Sequence, residues 1–238
     1  MSAAESFYSR TPATTETGRA LIFAKTNRML NKLLLLGFFC CAISIADAQT
    51  LKTPQPSPGQ TIRQDFGISS IELNYSRPGI KGRKIFGDLV PYGKVWRTGA
   101  NSATRIKFSD DVTIGGQTLK AGEYAIYTVP RENEWEIIIN KGSANWGTEY
   151  KQQDDIFRVK AKPVTLPFSI QTFTMNFSDI TSTSCTLQIM RDNVYVEVPI
   201  TTEIDKKVMA QIDNLINKDN RPYFQAAMYY VENGKDLE

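Results

Sequence analysis

The sequence predicts a mainly β protein: a two-sheet antiparallel β sandwich followed by a short C-terminal pair of α-helices. Three observations carry this. Short segments alternating apolar and polar residues recur from 71 to 198, turn residues separate them at regular intervals, and the period lengthens to that of a helix only after Ile200.

The first 48 of the 238 residues stand apart from that pattern. Arg28 and Lys32, the apolar run LLLLGFFCCAISI over 33–45 and the small-residue end Ala46-Asp47-Ala48 make up the three parts of a secretory signal. The run is shorter than the roughly 20 residues that a transmembrane helix needs. It predicts a start at Met29, cleavage after Ala48, and an exported protein, periplasmic or extracellular, with no stable membrane span after cleavage.

Residues 49–202 read as one β-sandwich domain. QTLKTPQPSP over 49–58 is an extended leading segment. Ile71, Leu73 and Tyr75 alternate with polar residues, as do Ile106 and Phe108, so each group marks a half-buried strand. Gly115-Gly116 sits between two short apolar runs and signals a tight hairpin. A turn at Ala121-Gly122 leads into a strand that Pro130 stops, and 135–139 is the next strand. Phe173, Met175 and Phe177, then Cys185, Leu187 and Ile189, continue the alternation. Asp192-Asn193 reads as a turn before Val194, Val196 and Val198. Trp135 and Cys185 fall among core positions, whereas Trp146 sits among turn residues, where with Tyr150 it would form an exposed platform.

Residues 203–238 read as a C-terminal helical extension. Thr202 is placed to cap a helix whose apolar positions Ile204, Val208, Ile212 and Leu215 share one face. The segment 217–220 breaks it, Pro222 suits the first turn of a second helix, and YFQAAMYY supplies that helix's buried side. These aromatics either pack back on the sandwich or belong to a longer, truncated extension.

Composition excludes several functions. From residue 49 onward the chain carries 23 Lys and Arg against 22 Asp and Glu, so it is no bulk nucleic-acid binder. Only Cys185 remains after cleavage, so no internal disulfide forms. The sequence has no histidine, which removes the commonest general base, the commonest zinc ligand and every Ser-His or Cys-His pair. No cofactor or metal motif is present. Asp154-Asp155 lies in a polar stretch that reads as a solvated loop, without the spacing of an EF-hand.

The cations and turn residues of YSRPGIKGRKIFGDLVPYGKVWRTGANSAT, over 75–104, are the most distinctive feature. Arg77, Arg83 and Arg97 offer planar donor forks for carboxylate, sulfate or phosphate. Tyr92 and Trp96 offer an apolar or sugar-stacking surface, and Asn101 and Thr104 add neutral hydrogen bonds. Together these seven residues form a candidate site for an anionic or glycan-like ligand. The alternative is structural: Arg77 and Arg97 pair with Asp88 or Glu123, and the glycines only shape turns.

The blocks YSRP, GRKIFGDLVPYGKVWRTGANSAT, AGEYAIYTVP and NWGTEY, in this order over roughly 57–200, resemble the signature of an uncharacterised bacterial family, domain of unknown function DUF2911. The resemblance implies an exported protein with no established activity, and longer members that continue into a helical region. One departure is visible: Met190-Arg191 stands where the family tends to carry a Trp-Glu pair. The names of some such chains suggest an asparagine synthetase, but neither an N-terminal cysteine after cleavage nor a Gly-rich nucleotide loop is present. The sequence therefore points to a non-catalytic ligand-binding or envelope-associated module. Its alternatives are a histidine-free glycan hydrolase working through Asp or Glu, and a structural domain that docks an envelope protein through the two C-terminal helices.

Overall fold

Among the described residues, ten strands divide between two antiparallel sheets. The first contains β1 (Gly59–Phe66), β2 (Ser69–Ser76), β3 (Thr104–Phe108), β6 (Gly122–Val129), β7 (Trp135–Asn140) and β8 (Asp155–Ala161), in the order β1-β2-β3-β6-β7-β8. The second contains β4 (Val112–Ile114), β5 (Gln117–Leu119), β9 (Pro163–Ser178) and β10 (Ser184–Thr201), in the order β5-β4-β10-β9. This computed structural model describes residues 51, 53–144, 146, 149–216 and 222–235. The expected leader over 1–48 and the helix break at 217–220 lie outside the described residues.

Alternation builds the core. Ile71, Leu73 and Tyr75 of β2 and Ile106 and Phe108 of β3 face inward, and Phe173, Met175 and Phe177 of β9 meet them from the other sheet. Their neighbours along each strand face outward, as a period of two requires. Cys185 belongs to this core at 2% exposure, and burial pushes its thiol up to about 11, so it packs as an apolar group. The middle of the six-stranded sheet is buried on its outer face too. There Ala125, Tyr127 and Val129 of β6 and Ile138 of β7 form a second small cluster with Ala103. Loops cover it, and the candidate site lies beneath them.

The Gly115-Gly116 hairpin forms as the sequence predicts, with Ile114 opposite Gln117 and both glycines at positive φ. The expected turn at Asp192-Asn193 does not form. Residues on both sides of it pair with β9, Met190 with Thr174 and Val194 with Thr165, so the chain cannot reverse there. Asp192 instead takes φ 56° and makes a bulge inside one strand of 18 residues. The bulge shifts the parity, so that Cys185, Leu187 and Ile189 before it and Val196, Val198 and Ile200 after it all face inward.

Two strands escape the sequence pattern. β1 is an edge strand that buries only Phe66, and β8 turns only Val159 and Ala161 into the core, so neither shows a full apolar period. Asp154 and Asp155 accordingly do not form a solvated loop. Asp154 closes a short 3₁₀ turn, Gln152–Asp154, and Asp155 opens β8.

Ile204, just before helix α1 (Asp205–Ile216), and Ile212 within it are buried, and α2 (Tyr223–Glu232) follows Pro222. Thr202 does not cap α1. It is buried in the last turn before the helix, and its hydroxyl donates to Asp111 O at 3.0 Å. Nor does YFQAAMYY supply a buried side, because Ala226 alone in α2 is buried while Tyr223, Phe224, Met228 and Val231 are exposed. Polar contacts hold α2 in place: Tyr229 Oη and Lys235 Nζ both donate to the Asp205 carboxylate, at 2.8 and 2.5 Å. Among the described residues no helix is long and apolar enough to cross a membrane.

The hairpin gives a direct test of this packing. A Cβ on Gly115, whose φ is +54°, would stand 2.8 Å from Val159 Cγ1, whereas one on Gly116 would meet open space. Gly115→Ala should therefore lose about 2–4 kcal/mol of stability and Gly116→Ala only about 1–2, read from urea unfolding midpoints. Equal losses would show that Val159 does not pack on the hairpin.

Candidate functional site

The site is built where β3 begins. Thr104 is the first β3 residue and pairs with β6, and ahead of it in sequence the chain segment around Trp96 takes the free edge of β6. Trp96 N donates to Thr128 O at 2.7 Å, and Thr128 N donates to Trp96 O at 2.9 Å. Successive residues of an extended segment point to opposite faces. Trp96 therefore enters the core, edge-on to Phe86, Trp135 and Phe173, while Arg97 turns to the outer face beside Tyr127.

A tight turn fixes this arrangement. Trp96 Nε1 donates to Gly99 O at 3.1 Å, and Thr104 Oγ1 donates to Thr98 O at 2.5 Å. Gly99 holds φ +150°, and a Cβ there would stand 3.1 Å from Ser76 O. Asn101 Nδ2 ties the far side of the turn to Ser57 O and Ser76 Oγ, each at 3.2 Å.

Arg97 and Tyr127 meet in a cleft of about 450 Å³, walled by Leu89, Val90, Pro91, Val95 and Tyr150, with exposed Lys94 at its rim. Arg97 Nε and Tyr127 Oη are both buried and have no hydrogen-bond partner among the described residues. Leaving a buried donor unpaired costs about 1–3 kcal/mol, so two in one cleft are a notable concentration. No Asp or Glu among the described residues lines this cleft. A groove of similar volume between α1 and α2, lined by Ile204, Val208 and Ile212, contains no such orphan atom among the described residues.

The tyrosines are held as donors. Burial, then the negative charges of Glu149 and Asp155, push the Tyr127 phenol up. Tyr150 packs edge-on against it at 5.0 Å between ring centroids. The Tyr150 hydroxyl donates to Asp155 Oδ2 at 2.7 Å, and burial together with that bond pushes it up to about 12. Behind Tyr150, Arg158 Nη2 donates to Tyr150 Oη at 2.8 Å and to Asp155 Oδ2 at 2.7 Å, while Nη1 donates to Glu136 Oε2 at 2.9 Å. Arg131 completes the chain at Glu136 Oε1, 2.7 Å away, and Asn140 Nδ2 donates to Asp155 Oδ1 at 2.8 Å. The back wall is thus a fixed ionic lattice.

Of the seven residues singled out in the sequence, the cleft brings together Trp96 and Arg97. Arg77 lies elsewhere, donating to Phe173 O at 3.1 Å and Thr174 Oγ1 at 2.9 Å. Arg83 fastens its own loop through Ile80 O and Gly79 O. Tyr92 covers Gly87 and lines a separate depression with Arg131. Asn101 and Thr104 serve the turn. Trp96 is only 8% exposed, so its face cannot take a sugar. The expected pairing of Arg77 or Arg97 with Asp88 or Glu123 also fails, since Glu123 faces Arg105 at 3.6 Å and Arg97 has no ion pair among the described residues. Trp146 is exposed, but Tyr150 packs inward on Tyr127, so the two do not form a platform.

Tyr127 was not singled out, and Tyr150 only as an exposed partner of Trp146. One signal was present: in YAIYTV the polar atom of Tyr127 sits inside a run with apolar residues at both parities, the mark of a strand covered on both faces. The adjacent acids separate, Asp111 pairing with Lys120 and Asp110 with Lys207. Among the described residues no group of three or more Cys, Asp or Glu is placed to hold a metal. Arg191, on the inner face, is 3% exposed and lies 5.4 Å above the Trp96 ring.

Residues 57–200 match the family described as Protein of unknown function (DUF2911). No curated protein and no solved structure matches the chain.

The ionic lattice predicts an acid-sensitive contribution to stability. Burial pushes the Glu136 carboxyl up, but hydrogen bonds and charge from Arg131 and Arg158 outweigh it and hold the group below its ordinary value. A carboxyl depressed in the folded state stabilises fully above its unfolded value, and this contribution is lost as pH falls through the folded one. Glu136→Gln should therefore be less stable than wild type near pH 6, and the gap should narrow toward about pH 3, as measured by urea unfolding across pH. A constant gap would mean that Glu136 does not titrate with its arginine partners.

Proposed function

The chain belongs to the DUF2911 family of proteins of unknown function, and from the cleft between Arg97 and Tyr127 we propose that it is a non-catalytic binding module for a small anion. A single observation carries this reading: two buried donors, a guanidinium Nε and a phenol hydroxyl, lie unpaired in one cleft. The guanidinium can only donate, because it has no lone pair to offer, and the Tyr127 phenol, which stays protonated, can donate to the same acceptor. Lys94 at the rim adds positive charge that draws an anion in. A volume of about 450 Å³ suits a small metabolite.

The absence of lining carboxylates among the described residues favours binding over hydrolysis by Asp or Glu, since glycosidic cleavage needs two carboxyl groups flanking the scissile bond. Asp155, the nearest acid of the back wall, is already engaged by Tyr150, Arg158 and Asn140. The proposal includes export, for which the leader pattern over 1–48 is the support.

The test is a thermal unfolding screen of the full chain against carboxylates, phosphate esters, sulfate, acidic sugars and neutral glycans. Anions should raise the midpoint of wild type, and Arg97→Gln should weaken their binding by about 10- to 100-fold while remaining folded. Tyr127→Phe should bind more weakly and yet unfold at a higher temperature without ligand, because it removes a buried hydroxyl that has no partner. Neutral glycans alone raising the midpoint, or anion binding indifferent to Arg97, would overturn the proposal.

A further inference from the structure

The lining of the Arg97 cleft narrows the chemical class of its ligand, and this inference rests on the anion-binding reading above. Among the described residues, Arg97 Nε and Tyr127 Oη are the buried polar atoms of the cleft's lining without partners, and both can donate. The remaining walls are the aliphatic side chains of Leu89, Val90, Pro91 and Val95 and the ring of Tyr150. The Tyr150 hydroxyl is turned away to Asp155 and Arg158, so it presents carbon to the cleft.

Charge limits the head group further. Among the described residues Arg97 is the one cation within the cleft, and Lys94 stands exposed at its rim. Behind Tyr150, Asp155 and Glu136 are paired with Arg158 and Arg131, and the charges of Asp155 and Glu149 reach the Tyr127 phenol. With those pairs neutralised, a single negative charge in the cleft is balanced by Arg97. The two buried donors also match the two oxygens of a carboxylate.

We infer that the cleft binds monocarboxylates with an apolar body, the carboxylate lying between Arg97 and Tyr127 and the body against Leu89, Val90, Pro91, Val95 and the Tyr150 ring. Apolar burial supplies affinity, and the two donors supply orientation and selectivity for the acid over its neutral amide.

Equilibrium binding to the full chain tests this with probes that share one body. Phenylacetate and 4-phenylbutyrate should bind at least about 10-fold more tightly than phenyl phosphate, phenylacetamide or acetate. Arg97→Lys, which keeps the charge and loses the planar fork, should weaken phenylacetate by about 10-fold, and Tyr127→Phe by several-fold, with unfolding midpoints confirming that both variants are folded. Phenyl phosphate binding as tightly as phenylacetate, with Arg97 required, would overturn the monocarboxylate class and leave the anion-binding reading standing. Phenylacetamide binding as tightly as phenylacetate would overturn the inference. Failure of both carboxylates to bind would overturn it too, and the wider anion screen then decides the broader reading by itself.

Discussion

Two backbone hydrogen bonds between Trp96 and Thr128 decide which side of the six-stranded sheet each neighbouring residue serves. They make a loop behave as a strand at a single bridge just ahead of the start of β3. Pairing fixes parity, and parity sends Trp96 into the core and Arg97 out of it. A slip of one residue would exchange them, burying the arginine among Phe86, Trp135 and Phe173 and exposing the tryptophan. The density of turn residues around this segment follows from that requirement. Gly99 and Thr98, both at positive φ, bring the chain back sharply enough for Thr104 to begin β3 beside it.

The two sides of this segment solve the problem of a cation in opposite ways. On the inner side, Arg191 is buried, with Nε unpaired among the described residues and its guanidinium over the Trp96 ring. Burial, then the charge of Arg83, pushes it down to about 10, so it remains largely charged at neutral pH. The aromatic face offsets part of its desolvation, and Asp192 opposes the effect of Arg83. On the outer side, Arg97 has open volume in front of it instead of a ring. The first arrangement uses a cation to fill the end of the sandwich, while the second leaves one lining a cleft.

Much of the fold was legible in the sequence because inward residues at a period of two are a direct record of a sheet with one wet face. The strands at 71–75, 106–108 and 173–177, the Gly115-Gly116 hairpin and the pair of C-terminal helices were all visible in this way. The edge strands were not, since β1 and β8 each have few residues to bury and so leave little pattern. Asp192-Asn193 misled for a different reason: residues that tolerate positive φ serve bulges as well as turns, and only the partner strand distinguishes the two. Of the site, Arg97 and Trp96 stood out by their surroundings, but neighbouring arginines with the same chemistry were absorbed by carbonyl oxygens that no local pattern reveals. Tyr127 was hidden because its orphan hydroxyl is a property of what surrounds it, not of the strand that carries it.

The register of β10 bears on how the chain comes to be folded. This strand lies between β4 and β9, and it meets β4 only through Ile200 opposite Ile114 and Thr201 opposite Thr113. During synthesis, the hairpin that begins with β4 therefore waits for almost the whole sandwich to emerge before its neighbour exists. Until then the apolar inner face of the first sheet lacks half of its cover. Such distant pairings slow folding, because the chain loses the entropy of closing a long loop before any contact compensates it. The nascent protein thus passes through a period in which its hydrophobic interior is open to other molecules, and a binding or holding factor has that interval in which to act.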